Sequence, residues 1–135
     1  MEMPVRDFAM KRMVEFVPVI EEEYDPKTGC IRSERWSDRY QYPAYALAVL
    51  YSRKHALNTY SGDRRILEMA VKMADCVARR QDPSGRFEDD MPGNFGWNEW
   101  GPYYITATLE VLGKKVPAEC RRRWQRAVGR YVEGC

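Results

Sequence analysis

At 135 residues the chain has the length of one domain, enough to enclose a real core. Its 44% hydrophobic and 31% charged residues are those of an ordinary globular protein, and 22 basic against 20 acidic side chains, a net charge of +2, say almost nothing about partners. The longest apolar run, Tyr42 to Tyr51, is too short to cross a membrane.

The first twenty residues carry Arg6, Asp7, Lys11, Arg12 and Glu15 throughout, so no signal peptide is expected and a cytoplasmic location fits the chain as it stands; a fragment of a larger protein would fit the periplasm or the outside of the cell. Cys30, Cys76, Cys120 and Cys135 form no CxxC pair and no zinc spacing with the single His55. Cys76 lies in an apolar helical pattern and reads as a small buried hydrophobe in a reducing compartment, with a disulfide left open. No cofactor or metal is expected.

Val5, Phe8, Ala9, Met13, Phe16 and Val17 have helical spacing, which Pro18 is expected to end. Glu21 to Ser37 reads as a loop, with turn chemistry at Asp25-Pro26-Lys27-Thr28-Gly29. Asp38 to Ser52 is the second helix; from Pro43 it is apolar all round, which requires cover on every side. Asp63 is placed to cap a third helix whose polar positions, Arg65, Glu68, Lys72, Asp75 and Arg79, form one narrow stripe. Pro102 to Leu112 is a fourth helix ended by Gly113. Pro117 opens a fifth, with Cys120, Trp124, Ala127, Val128 and Tyr131 on one face and Arg122, Arg126 and Arg130 on the other. A shift of 59 positions lays Pro43 on Pro102, Tyr45 on Tyr104, Ala48 on Ala107 and Leu50 on Leu109. The expected fold is all-α: antiparallel helical hairpins in two layers, inner and outer helices alternating, with residues 1–135 as a single domain.

Between the third and fourth helices, Gly85 to Tyr104 (GRFEDDMPGNFGWNEWGPYY) has neither helical nor strand period. It brings acids and amides together with flat rings. That mixture suits sugars, whose hydroxyls want paired donors and acceptors and whose ring faces stack on aromatics.

The runs YPAYALAVLY, NTYSGD, RRQDPSGRF and WNEWGPYY resemble the α/α-toroid superfamily, which includes the six-hairpin glycosidases and the toroids of heparinase-like polysaccharide lyases. The likeness covers Trp36 to Tyr131 and implies sugar hydrolysis or β-elimination. A complete toroid has many more helices than the about five that fit here, so the chain is expected to be an arc, part of a larger toroid. The lyases draw on Asn, Tyr and His, and His55 has no matching motif. Gln81 to Phe87 is also similar to the glutamine-containing turn of terpenoid cyclases, but Glu88-Asp89-Asp90 lacks the second aspartate of a metal-bridging pair.

Glycoside hydrolysis needs two carboxyls. Asp90 and Glu99 are the candidate catalytic acids, with the acidic run as a plain solvated loop the competing reading. Trp36, Trp97, Trp100 and Tyr104 are the candidate stacking rings, and Asn94 and Asn98 the hydroxyl ligands; core packing is the alternative for the rings. Trp97 and Trp100 would share a face if their turn were helical. The expected partner is an oligo- or polysaccharide, with self-association or docking to the rest of a toroid at the open edges, and neither nucleic acid nor membrane. The alternative function is a non-catalytic helical-repeat module that binds a protein.

Overall fold

The computed structural model describes residues 2–31, 43–88, 93–97 and 99–135. The chain is mainly helical. Five helices run α1 Val5–Glu23, α2 Pro43–Ser52, α3 Arg64–Arg79, α4 Trp100–Leu112 and α5 Ala118–Gly134, with a 3-10 turn at Gly113–Lys115. Two minimal antiparallel pairs, which the sequence did not announce, sit in the long connections: β1 Tyr24–Asp25 with β2 Cys30–Ile31, and β3 Phe87–Glu88 with β4 Phe95–Gly96.

α3 lies at the centre, in contact with α2, α4 and α5, while α4 also packs on both α2 and α5. Small residues allow that proximity: Ala70, Ala74 and Ala78 recur every turn of α3, and Ala44 and Ala48 do the same on α2, all buried. Ile66, Met73, Leu47, Ile105 and Trp124 fill the space between. The wet stripe of α3 holds at Arg65, Glu68, Lys72 and Arg79, which are exposed, but not at Asp75, whose side chain is only 13% exposed because it is turned onto Arg123 and Trp124 of α5.

Local chemistry sets the helix ends. Asp63 caps α3 by accepting from the Arg65 N–H at 2.9 Å. Gly113, at φ +53°, ends α4. Buried Asn58 closes α2: its amide donates to the carbonyls of Leu50 and Arg53, and its oxygen accepts from the Tyr60 N–H.

Three expectations change. α1 runs through Pro18 to Glu23, because Val17 and Ile20 on either side of the proline are buried together and hold the helix in line. α2 is not covered all round: Tyr45 is exposed, and Ala46 and Val49 are half-buried. Cys76 is not a free buried thiol, since it forms a disulfide with Cys30 that ties the β1–β2 turn to α3. The part of the second helix expected from Asp38 lies outside the described residues up to residue 42.

The turns after α1 and α3 are built alike. Asp25 Oδ1 accepts from the Lys27 N–H at 2.9 Å, and Asp82 Oδ1 from the Ser84 N–H at 3.0 Å. Each turn reaches a positive-φ glycine, Gly29 at +75° and Gly85 at +101°. Each glycine lies flat on the backbone of a later helix: a Cβ on Gly29 would meet the Lys72 carbonyl oxygen at 3.2 Å, and one on Gly85 would meet that of Arg130 at 2.6 Å. The two turns thus repeat one another in their contacts as well as in their residues.

Candidate functional site

The connection from α3 to α4 is anchored before it reaches its aromatic residues. Gln81 donates its amide to the carbonyls of Gly85 at 2.9 Å and Ala127 at 2.7 Å, joining the turn to α5. Asp82 accepts from the Ser84 N–H and hydroxyl and from the Arg86 N–H and guanidinium. Burial works against its charge, but those donors outweigh it and hold the carboxyl below its ordinary range. Phe87, fully buried, lies on Gly101, where a Cβ would come within 2.9 Å of the ring. That contact explains a glycine in the first turn of α4.

Glu88 is not a solvated loop acid. It is buried, pairs with the Arg80 guanidinium through one oxygen and accepts from the Gly93 N–H at 2.7 Å through the other. Both oxygens are engaged in closing the β3–β4 connection. Glu99, by contrast, is exposed at the N-terminal end of α4 with no side-chain capping bond. Asn94 is exposed on the same connection. Trp36, Asp89, Asp90 and Asn98 lie outside the described residues.

The aromatic residues separate into two groups. Trp97 precedes α4 instead of joining it, so the shared helical face with Trp100 does not form. Its ring meets Tyr131 at 5.8 Å, its carbonyl accepts from the Tyr131 hydroxyl at 3.2 Å, and its edge lies over Gly134. Trp97 is still 40% exposed, yet one face is committed to the end of α5. Burial raises the pKa of Tyr131 first, and the negative charges of Cys135 and Glu99 add to it.

The second group occupies the first turn of α4. Trp100 stacks on Tyr104, four residues on, at 6.3 Å and 26°, and Tyr103 meets Tyr104 edge-on at 5.2 Å. Trp100 is 48% and Tyr103 58% exposed, so large ring area faces water with Glu99 next in sequence. Burial raises the pKa of Tyr104, with the neighbouring Tyr103 adding to it, so the Tyr104 hydroxyl keeps its proton at neutral pH. Tyr45 of α2 lies alongside, lining with Tyr103, Thr106 and Glu110 a shallow groove of about 270 Å³.

Sequence reasoning did not give Arg80, Gln81 and Tyr131 the role they have, which is to hold the loop in place. Gln81 acts on main-chain carbonyls and Tyr131 on a partner 34 residues away, while Arg80 reaches Glu88 eight residues on across the turn, and none of these contacts lies within one helix or strand, where a period would mark it. The single histidine is occupied as well: His55 Nε2 lies 2.9 Å from Asp7 Oδ1, and Nδ1 accepts from the Leu57 N–H at 3.0 Å. With both nitrogens engaged, His55 latches α1 to the α2–α3 connection and has no free nitrogen for proton transfer. Among the described residues no group of three or more His, Cys, Asp or Glu is placed to hold a metal ion, and no helix is long and apolar enough to cross a membrane. No protein family matches this sequence, and no curated protein or solved structure is significantly similar to it.

Proposed function

We propose that this chain binds an oligo- or polysaccharide, neutral or acidic, across the first turn of α4. The helices are taken as antiparallel hairpins in two layers, an arc of an α/α toroid, with the loops before α2 and α4 opening at one end. Trp100 and Tyr104 stack on sugar rings, Trp97 offers its remaining face, and Asn94 and Asn98 bind hydroxyls. Trp36 would join them from the equivalent loop before α2. In a catalytic version Glu99 and Asp90 are the acids, and the reaction is glycoside hydrolysis or β-elimination.

The observation that carries this reading is the stacked Trp100–Tyr104 pair with exposed Tyr103, beside an uncapped, exposed Glu99. Rings of that size left in water beside hydroxyl ligands are what a sugar surface requires. Tryptophan-fluorescence titration with neutral and uronate-containing oligosaccharides tests it. Saturable quenching that is lost in Trp100→Ala while the protein stays folded supports the reading; a flat response from folded protein rejects it.

A second reading is a non-catalytic helical-repeat module that docks a protein. One observation favours it: Val5, Phe8, Phe16 and Val19 are all exposed along α1.

A further inference from the structure

An open cavity of about 490 Å³ lies between α3 and the start of α5, within the size range of small-molecule sites. Lys115 and Pro117 in its wall come just after α4, whereas Trp100 opens that helix, which is about 20 Å long. The cavity therefore stands at the other end of α4 from the candidate sugar surface. No aromatic ring among the described residues lines it, so a sugar face would have nothing to stack on. Its floor is Leu67 and Val71 of α3 with Pro117 and the Cys120 thiol, which suits an aliphatic or aryl body.

The charges in the wall are three cations and one anion. Arg64 and Glu68 sit 3.8 Å apart and offset one another. Lys72 and Lys115 are exposed and have no ion-pair partner among the described residues. Asp75, one turn further along α3, is taken by Arg79 and Arg123. Pro117 gives α5 no side-chain cap, so the positive end of that helix adds to the two ammoniums. Glu119, in the same first turn, is exposed and is not part of the wall. Burial first, then the Asp75 charge, raises the Cys120 pKa, so the thiol stands there uncharged and repels no anion.

We propose that this cavity binds an amphiphilic organic acid, its carboxylate held between Lys72 and Lys115 and its apolar body laid on Leu67, Val71 and Pro117 beside Cys120. Sugar binding plays no part in this. A bound acid covers the Cys120 thiol and leaves Cys135, exposed at the end of α5, as it was.

Alkylation of the native protein by uncharged iodoacetamide, read cysteine by cysteine from peptide masses, is the test. Octanoate is the probe and octanol its uncharged counterpart. Octanoate is expected to slow Cys120 saturably, by about tenfold when it stands at roughly ten times its dissociation constant, with Cys135 unchanged. A double variant, Lys72→Gln with Lys115→Gln, keeps the Cβ and main chain of residue 72 on which Gly29 rests, so its circular dichroism should match wild type. It is expected to need about three- to tenfold more octanoate for the same protection, with the response to octanol unaltered. Cys120 reacting at an unchanged rate at every octanoate concentration below micelle formation overturns the proposal. Equal slowing of both thiols overturns it as well, as does protection by octanol as strong as by octanoate, or protection that survives intact without the two lysines.

Discussion

The indole N–H of Trp124, a ring with no solvent exposure, donates to Asp75 Oδ1 at 2.9 Å across the contact between α5 and α3. The same oxygen accepts from Arg123 at 2.5 Å, and the other oxygen from Arg79 at 3.0 Å. Arg79 goes on to donate to the Thr28 carbonyl at 2.9 Å, so one carboxylate links α3, α5 and the turn after α1. Removing it strands a buried donor and frees two guanidinium groups. Asp75→Ala is expected to cost about 2–3 kcal/mol in chemical denaturation. In a double-mutant cycle with Trp124→Phe the two losses should fall short of additive, since both delete the same bond.

The paired glycines make a second expectation. Gly85→Ala places a Cβ on the Arg130 carbonyl at a φ of +101°, which combines backbone strain with a clash. A loss of about 2–4 kcal/mol is expected. Gly62, at +74° with nothing within 4 Å, has only the strain, and Gly62→Ala should cost about 1 kcal/mol. Equal losses in thermal melts would contradict the docking of the Gly85 turn on α5.

Trp97 and Trp100 should respond differently to truncation. Trp97→Ala removes a ring seated on Tyr131 and Gly134 and is expected to lower stability by about 1–2 kcal/mol. Trp100→Ala removes a half-exposed ring stacked on Tyr104 and should cost less, about 0.5–1 kcal/mol. The two melting temperatures, measured without ligand, decide it.

Thiol titration of the native, unreduced protein should count two reactive cysteines, Cys120 and Cys135, and four after reduction. Burial raises the pKa of Cys120, so Cys135 is expected to react first. Reducing the Cys30–Cys76 bridge, which closes a 46-residue separation, should cost about 2–4 kcal/mol.

Asp82 gives a pH dependence. Its folded-state pKa is below the ordinary 3.8, so its contribution is complete above that value and is lost as pH falls through the lower folded value. Asp82→Asn should leave the stability–pH curve flatter over that acid range while lowering the neutral plateau. Parallel curves for the two proteins would show that the turn does not sense this charge.

What could be read from the sequence was whatever depends on near neighbours. The Asp63 cap, the Gly113 stop and four of the five wet positions of α3 are local, and each stands where its residue types put it; Asp75 does not, because Trp124 and Arg123 hold it. Pro18 misled because a proline's local cost was outweighed by the joint burial of Val17 and Ile20. The site was legible as composition but not as geometry. Rings, amides and acids announced a surface, but what divides Trp97 from Trp100 is Tyr131, 34 residues beyond Trp97. Likewise Glu88 looked like one of three equivalent acids until Arg80 and the Gly93 N–H occupied it.

The two glycine turns also constrain the order of events during synthesis. Gly29 can settle only when Lys72 has left the ribosome, and Gly85 only when Arg130 has. Each turn waits for a helix that is made later, so the growing chain carries an unseated loop while each of those helices is still unmade. While α5 is unmade, Phe87 and Trp97 lack Tyr131, and the aromatic connection stays open to chaperones and proteases. α5, made after both turns, is thus the helix that seats Trp97 beside the candidate sugar surface.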